Sequence, residues 1–316
     1  MKAAVIRDFQ VGPRFDSIDL PASAEGVPVD VLAAALSPRV RSGASGQHYT
    51  SHGVLPLVPG LDGVGRLADG RRVYFLAAHD EFGTMAERTL AHPRLMVPLP
   101  ESASATAVAA LMLPAISSWA ALTKRVTLQP GNSVLVLGAT GTSGQLAVQI
   151  AKELGASHVV AAGRDAAALE RAAARGADRI VKLSGTKDDG AAVAEVASEV
   201  DIVVDYLWGS VTSQVMPMIC RQRRVEDRAL HWVLIGSAAG DELALSSVLL
   251  RKRNLHLLGS GQGATSTADL FGTVPAILRA FADGKLDVEA REVPLANVAT
   301  AWSAPHASGE RVVFVP

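Results

Sequence analysis

The sequence predicts an α/β protein with a doubly wound parallel sheet of six strands and a separate β-rich domain. Three observations predict this fold. A glycine-containing turn near residue 140 joins an apolar segment to an amphipathic one. From there to residue 258, short apolar segments alternate with helical ones, as in a parallel sheet. The first hundred residues instead carry short apolar alternations interrupted by glycine and proline, which is typical of β structure.

The β-rich domain is expected to comprise residues 1–113 and 262–316, because the chain ends in further short β segments. The domain that contains the parallel sheet is expected at 114–261. Between the two β-rich parts, an alanine-rich stretch predicts one helix over 102–113. Pro114 is expected to end it, and a second helix is expected to run on to Val126.

The parallel sheet is expected to contain six strands, each a short apolar run followed by a crossover segment. The helix after the second strand has Asp165 as its expected N-cap and Gly176 as its expected C-cap. The predicted strands are 133–137, 158–162, 179–183, 201–205, 231–235 and 254–258.

The turn after the first of these strands has the construction that holds a dinucleotide diphosphate. Gly141 permits the backbone to approach the phosphates, and Gly144 permits the helix to pack closely on the strand. Ala139 replaces the first glycine of the Gly-x-Gly-x-x-Gly pattern. The free N–H groups of the first helical turn then point at the anion. This segment predicts a Rossmann nucleotide-binding unit.

The end of the second strand indicates which dinucleotide is bound. NAD-selective units place an acidic side chain there to bind the ribose diol, but this chain has Gly163. Arg164 follows and can bind a 2′-phosphate, which favours NADP. Asp165 is the competing residue: if it faces the ribose, the preference reverses to NAD.

Size and charge limit the other classes of function. A chain of 316 residues exceeds the usual size of one domain. Its net charge of −1 gives no basic surplus for binding nucleic acid. Residues 1–6 lead directly into a strand pattern, and no stretch of about 20 apolar residues without charges or helix breakers is evident. We therefore expect a cytoplasmic protein without membrane or nucleic-acid partners.

No metal site is expected. The single cysteine, Cys220, is expected to pack inside a helix or loop. His48 and His52 are four residues apart, but the glycines around them argue against a helix, and no third ligand follows at metalloenzyme spacing.

Several motifs in colinear order resemble the medium-chain dehydrogenase/reductase superfamily, and in particular its zinc-independent quinone oxidoreductase branch. The zinc-dependent members carry Gly-His-Glu where this chain has Gly60-Leu61-Asp62, and they carry a cysteine ligand upstream that is absent here. The motifs that carry the resemblance are 56–65, 83–87, 117–122, 139–144, 232–237 and 309–314.

The resemblance implies a β-rich GroES-like catalytic domain, NADPH as the cofactor, and hydride transfer to a quinone or an α,β-unsaturated carbonyl compound. It also implies a homodimer in which the strand at 254–258 pairs with its symmetry mate. The cofactor-lining positions implied by the turn and by the family are Ser117, Ala139, Thr140, Gly141, Thr142, Ser143, Gly144, Gly163, Arg164, Leu207, Trp208, Gly236, Ser237, Ser260 and Gly261.

The catalytic candidates lie in the first domain. Where the family has Asn-Pro-x-Asp before Arg-x-Gly, residues 37–43 read Ser-Pro-Arg-Val-Arg-Ser-Gly, so both polar positions differ. The donors that remain nearby are Ser37, Arg41, His48 and Tyr49. Tyr49 is a candidate to hydrogen-bond the substrate oxygen or stack on a flat substrate, with a half-buried loop aromatic as the alternative. His48 is a candidate proton donor, with a solvent-facing loop residue as the alternative.

Two other functions are compatible with the sequence. The changed polar residues of the first domain are also compatible with an NADP(H)-binding sensor or scaffold that has little turnover. Nucleic-acid binding is the weakest alternative, because the net charge is near zero.

Overall fold

The chain forms two compact units. The computed structural model describes residues 1–20, 24–51, 53–225 and 227–316. Unit 1 comprises Met1–Leu113 and Val288–Pro316, and unit 2 comprises Pro114–Asp287. The first boundary, between residues 113 and 114, is the one predicted from the sequence.

The second boundary lies at 287/288, so the expectation of 261/262 was wrong. Residues 262–287 belong to unit 2 because their backbone is hydrogen-bonded to it. Arg125 donates from Nη1 to the carbonyl oxygen of Ala264 (3.1 Å), and Gln149 donates from Nε2 to that of Asp287 (3.0 Å). The Arg175 guanidinium also pairs with the Asp287 carboxylate at 2.6 Å.

Unit 1 is built from two sheets. A two-stranded antiparallel sheet pairs β1 (Lys2–Val5) with β2 (Arg14–Ser17). A six-stranded sheet has the order β13-β14-β3-β4-β5-β6, and an additional β3–β6 pairing makes it barrel-like. Its strands are β3 (Val27–Ala35), β4 (Asp62–Arg66), β5 (Arg72–Ala77), β6 (Arg88–Leu99), β13 (Glu289–Pro294) and β14 (Glu310–Val315). Helices α1 (Pro38–Ala44) and α10 (Val298–Ser303) and a 3-10 turn (Leu295–Asn297) complete the unit.

Alternation of apolar and polar residues forms these strands. In β3, Val29 and Val31 are buried while Asp30 between them is exposed, which is the period-two pattern of a half-buried strand. The buried side chains meet those of Phe75 and Phe314 in a single apolar cluster. The core of unit 1 therefore lies inside the barrel-like sheet.

A buried polar network lies beside this core. The Tyr74 hydroxyl donates to the Asp62 carboxylate at 3.0 Å, and Arg311 donates from Nη1 to the carbonyl oxygen of Leu36 at 3.0 Å. Burial raises the pKa of Asp62 to about 6, partly offset by the hydrogen bond from Tyr74 and by the charge of Arg311. Burial also lowers the pKa of Arg311 to about 10. Because Arg311 binds the carbonyl that precedes Ser37, it helps to fix where α1 begins.

Unit 2 contains the predicted parallel sheet, with the strand order β12-β11-β10-β7-β8-β9. All six predicted strands are confirmed, each within one residue at either end. They are β7 (Ser133–Leu137), β8 (His158–Gly163), β9 (Arg179–Lys182), β10 (Ile202–Asp205), β11 (Leu230–Leu234) and β12 (Leu255–Gly259). All pairings between them are parallel. Their near-continuous burial, as in β7 and β10, is typical of strands covered on both faces.

Helices connect these strands. Asp165 caps the helix after β8, since its carboxylate accepts the N–H of Ala168 at 2.8 Å, and Gly176 ends it with a φ of +111°. Cys220 is buried in a later helix, as expected. The helices are α3 (Thr142–Glu153), α4 (Ala166–Ala174), α5 (Asp189–Ala197), α6 (Gly209–Gln222), α7 (Ser247–Lys252), α8 (Thr267–Phe271) and α9 (Val274–Ala282).

Pro114 does not end a helix, so that expectation was wrong. Helix α2 runs from Ala105 to Ala120 with Pro114 inside it, and a π-helical turn (Ala121–Arg125) follows. An interior proline costs about 3 kcal/mol. Leu111, Met112 and Leu122 are fully buried, and each contributes about 1.5–3 kcal/mol, which outweighs that cost.

This apolar segment also has the length and hydropathy of a membrane span, although it contains a helix breaker, Pro114, and two charged residues, Lys124 and Arg125. Residues 105–125 form a helix of 21 residues with a mean hydropathy of 1.7 in its most apolar window. By length and composition this helix can cross a membrane. However, 72% of that window is buried inside the protein, and the core helix of a soluble protein meets the same criterion.

Candidate nucleotide-binding site

The glycine turn is fastened to the end of the neighbouring strand. Gly138 follows β7 with a φ of +91°, a conformation that favours glycine. The N–H groups of Gly138 and Ala139 both donate to the carbonyl oxygen of Ala162 at 2.9 Å. These bonds fix the turn at the carboxyl edge of the sheet, where ligands bind in open α/β folds.

The two later glycines of the turn differ in the space around them. A Cβ on Gly144 would lie 2.2 Å from the carbonyl oxygen of Gly138 and 2.6 Å from the Cα of Ala139. Close packing of α3 on the turn therefore requires Gly144. A Cβ on Gly141 would have only one neighbour, 3.8 Å away. Packing among the described residues does not require glycine at 141, and the position leaves room for a ligand to approach the backbone.

The N-terminus of α3 offers backbone donors at this point. Gly141 is its N-cap and has no side chain to accept a first-turn N–H group. The first-turn amides of a helix have no acceptor within the helix, and the helix dipole adds positive charge there. These amides belong to Thr142, Ser143 and Gly144. The cradle therefore fits a diphosphate, which needs closely approaching backbone donors.

The end of β8 has Gly163 in place of the acidic residue of NAD-selective proteins. A Cβ on Gly163 would lie 2.4 Å from Cγ2 of Thr140, so the Thr140 side chain fills that space. Arg164 is exposed, and within the described residues its guanidinium has no hydrogen bond or ion pair. Asp165 is engaged as the cap of α4. Arg164 is therefore available for a phosphate.

The loop after β10 is organised by a buried carboxylate that the sequence analysis did not single out. Asp205 is completely buried and accepts four hydrogen bonds. Two come from the backbone N–H groups of Leu207 (2.8 Å) and Trp208 (2.9 Å), and two from Oγ1 of Thr212 (2.6 Å) and Nε1 of Trp232 (2.8 Å). The position of Asp205, at the end of a buried strand of a nucleotide-binding sheet, was the available signal.

This carboxylate holds Trp208 in an unusual conformation. Trp208 has a φ of +53° and is the sole non-glycine residue with positive φ in the described chain. Such a conformation costs about 1–3 kcal/mol and persists only when its surroundings hold it. Leu207 and Tyr206 lie against Gly138, 3.2 Å from the position of a Cβ there. The loop thus forms a wall directly beside the glycine turn.

The other positions expected near the cofactor also lie around the carboxyl edge of the sheet. The N–H of Gly236 donates to the carbonyl oxygen of Asp205 (3.2 Å), and that of Ser260 donates to Leu234 (2.8 Å). Ser237 donates to the Asp241 carboxylate at 2.5 Å, and Gly261 follows Ser260 directly.

Ser117 lies on α2, where its hydroxyl donates to the carbonyl oxygen of Pro114 at 2.8 Å. Its neighbour Ser118 shares a hydrogen bond of 2.6 Å with the hydroxyl of Tyr206. Burial raises the pKa of Tyr206 well above its ordinary value, so its hydroxyl is neutral. The sequence analysis missed the Ser118–Tyr206 contact, because the two residues are 88 positions apart.

The catalytic candidates lie in unit 1. The hydroxyl oxygen of Ser37 accepts the N–H of Val40 at 3.1 Å, so Ser37 caps α1. The rings of His48 and Tyr49 are in contact, with centroids 4.2 Å apart. Tyr49 is 73% exposed, so the alternative interpretation of a half-buried loop aromatic was wrong.

His48 is held as a neutral imidazole. Its Nδ1 accepts the N–H of Thr50 at 3.2 Å, which assigns the proton to Nε2. Burial lowers the pKa of His48, and the charge of Arg39 lowers it further. A proton leaving this side chain at neutral pH therefore comes from the neutral Nε2–H group.

Metal ligands do not cluster in the part of the chain that the structure describes. No group of three or more His, Cys, Asp or Glu side chains there can hold a metal ion. His52, which the sequence paired with His48, lies outside the described residues.

Comparisons with known proteins point to one class of enzymes. A family model described as the saccharopine dehydrogenase NADP binding domain matches residues 134–226. The probable NADPH-dependent quinone reductase tdiC of Emericella nidulans is 29% identical over 338 aligned positions, which cover 94% of each protein. The chloroplastic NADPH-dependent alkenal/one oxidoreductase of Arabidopsis thaliana is 29% identical over 195 positions, covering 57% of this chain and 49% of that protein.

A solved structure shows the same fold over the full length. The quinone oxidoreductase of Thermus thermophilus, also solved as a complex with NADPH, has a TM-score of 0.81. It is 24% identical, and the match covers 100% of both chains. The likeness thus includes both units.

The open space at Gly141 provides a test of the site. We expect Gly141→Ala to leave the melting temperature unchanged or slightly raised, because its backbone conformation suits alanine and its Cβ meets no close neighbour. We expect the Kd for NADPH to rise about tenfold or more, because one methyl group displaces the diphosphate from the amides. Fluorescence titration with NADPH measures this change in Kd.

Gly144→Ala is the matched comparison variant. Its added Cβ would overlap the backbone of the turn, so this variant should lower the melting temperature. Unchanged NADPH affinity in Gly141→Ala would contradict the assignment.

Proposed function

We propose that the chain belongs to the medium-chain dehydrogenase/reductase superfamily and that it reduces a quinone or an α,β-unsaturated carbonyl compound with NADPH and without zinc. The observation that carries the proposal is the end of β8, where Thr140 fills the place of an acidic residue and Arg164 is exposed. A site of this kind suits the 2′-phosphate of NADPH. The likeness to a probable NADPH-dependent quinone reductase over 94% of each protein supports the same conclusion.

Different residues of unit 2 would bind different parts of the cofactor. The first-turn amides of α3 would bind the diphosphate, and Arg164 would bind the 2′-phosphate. The loop fixed by Asp205 would place Leu207 and Trp208 beside the cofactor, together with Ser117, Gly236, Ser237, Ser260 and Gly261. When bound, NADPH supplies the hydride.

The residues of unit 1 would manage the charge and proton on the substrate. Reduction of an enone or quinone places negative charge on the carbonyl oxygen, which must be stabilised and finally neutralised by a proton. The proposed hydrogen-bond and proton donors are the Tyr49 hydroxyl and the Nε2–H group of His48, whose rings are in contact. Ser37 retains its hydroxyl proton for donation while its oxygen caps α1.

Zinc independence rests on the identity of two positions. Leu61 stands where zinc-dependent members have a histidine ligand, and the chain's single cysteine, Cys220, is buried in α6 of unit 2. An apolar side chain cannot bind zinc. Stabilisation of the substrate oxygen therefore falls to hydrogen-bond donors.

The reaction can be tested by mixing the protein with NADPH and a panel of quinones, enones and enals in a stopped-flow instrument. We expect loss of the NADPH absorbance with at least one class of acceptor, and no effect of a zinc chelator on the rate. Tight binding of NADPH without consumption by any acceptor would overturn the proposal and favour the alternative, a sensor or scaffold.

The cofactor preference can be tested separately with Arg164→Ala. The loss of one charge-assisted hydrogen bond to the 2′-phosphate should raise KM for NADPH by about ten- to a hundredfold and leave KM for NADH unchanged. Steady-state kinetics with both cofactors measure this. Equal KM values for NADPH in the variant and the wild type would show that Arg164 does not contact the phosphate.

We further propose a soluble, cytoplasmic homodimer formed through β12. This strand is the edge of the sheet, so among the described residues no other strand pairs with its outer side. Leu257 on this strand and Leu250 on α7 are exposed apolar residues, as an interface requires. Light scattering on the protein purified from the supernatant of lysed cells should give the mass of two chains, and the mass of one chain would reject the dimer.

A further inference from the structure

A small pocket in unit 1 contains a charged residue that the proposed reaction has not yet used. The pocket is lined by Arg39, Thr50, Gly60, Leu61 and Asp80, among others. Its volume is about 70 Å³. A cavity of about 150 Å³ holds a benzene ring. This pocket therefore accommodates a polar end of a substrate, such as a carbonyl group, rather than a whole aromatic ring.

The guanidinium of Arg39 is held in a fixed position in this pocket. It donates from Nη2 to Oγ1 of Thr50 at 2.5 Å. Its Nη1 lies 2.9 Å from the position that a Cβ on Gly43 would occupy, so the guanidinium packs directly over that glycine. A donor held in this way needs little rearrangement when charge develops on a bound ligand.

The same threonine connects Arg39 to the proposed proton donors. Oγ1 of Thr50 lies 2.9 Å from Nδ1 of His48, and the His48 ring is in contact with Tyr49. The Thr50 hydroxyl thus joins the Arg39 cation to His48, and His48 in turn contacts Tyr49. This is the combination that reduction of a carbonyl-activated double bond requires.

The charges around the pocket favour a neutral ligand. Arg39 is half-buried, and the carboxylates of Asp80 and Glu81 also line the pocket. A permanently anionic substrate would meet these two carboxylates, so a neutral carbonyl group suits the pocket better. Burial lowers the pKa of Arg39, and the nearby Tyr49 and Asp80 oppose this, but a guanidinium stays protonated at neutral pH.

We infer that Arg39 donates a hydrogen bond to the carbonyl oxygen of the substrate and stabilises the negative charge that forms there. This inference rests on the proposed function. NADPH, when bound, would supply a hydride. The enone would accept it at the β-carbon, where a C–H bond would form, and the electrons of the C=C bond would move to give an enolate whose oxygen carries the charge. NADPH is oxidised and the enone is reduced. The enolate carbon then takes a proton from His48, Tyr49 or water.

Arg39→Gln tests the role, with Arg39→Lys and Arg88→Gln as comparison variants. With 2-cyclohexen-1-one or the best acceptor of the panel, kcat/KM should fall about 100- to 1,000-fold in Arg39→Gln, as for loss of one donor to an oxyanion. The Kd for NADPH should not change. Arg39→Lys keeps the charge and should retain more activity. Arg88 is an exposed residue of unit 1 that pairs with Asp30, so Arg88→Gln should behave as the wild type.

A second measurement does not require turnover. Cyclohexanone labelled with ¹³C at its carbonyl carbon lacks the reducible double bond. Hydrogen bonding to a cation should move its carbonyl ¹³C resonance downfield when it is titrated with wild-type protein or Arg88→Gln. Arg39→Gln, checked for an unchanged melting temperature, should give no such shift.

The outcomes separate this inference from the proposed function. Suppose that the wild type is active and that Arg39→Gln lowers kcat/KM by no more than about threefold. That loss is far smaller than the loss expected for an oxyanion donor, so this result would overturn the inference about Arg39 and leave the proposed function standing. If no acceptor consumes NADPH, the proposed function fails, and the ¹³C titration still decides the role of Arg39. Equal downfield shifts in the wild type and Arg39→Gln would then overturn it, and a shift that depends on Arg39 would support a carbonyl-binding site.

Discussion

The close contact between α3 and the glycine turn is the constraint on which the nucleotide-binding unit depends. No side chain fits at Gly144, because the carbonyl oxygen of Gly138 lies where its Cβ would be. This contact brings the amides of the first helical turn to the edge of the sheet. Two hydrogen bonds to the carbonyl oxygen of Ala162 keep the turn in place. The same turn carries Thr140 to Gly163, so the proposed diphosphate site and the proposed site of dinucleotide selection share one local structure.

The second wall of this site depends on a buried carboxylate. Four donors satisfy the side chain of Asp205, and two of them are backbone amides of the loop that it precedes. A buried carboxylate is tolerated when its oxygens accept several hydrogen bonds. The bonds to the backbone hold Trp208 at a positive φ and place Leu207 beside the turn. The conformation of the loop is thus imposed by the sheet rather than by the loop sequence.

Unit 1 uses polar groups in a different way. In its buried network of Asp62, Tyr74 and Arg311, the arginine binds the backbone carbonyl group that precedes α1. Arg39, Thr50 and His48 instead form a partly buried chain beside a small pocket. The first set is enclosed in the core, and the second can reach a ligand. The role that we infer for Arg39 is to stabilise charge on the carbonyl oxygen of the substrate without a metal ion.

Local patterns in the sequence determined most of unit 2. Apolar runs and glycine spacing predicted all six strands and the turn, because buried parallel strands and the packing at Gly144 depend on residues close in the chain. The helix across Pro114 and the boundary at 287/288 required the tertiary structure, since burial and distant hydrogen bonds decided them. The roles of Asp205, Tyr206 and Arg39 were likewise hidden in the sequence. Their partners, such as Trp232, Ser118 and Thr50, are brought to them only by folding, and no local pattern records a contact between residues far apart in the chain.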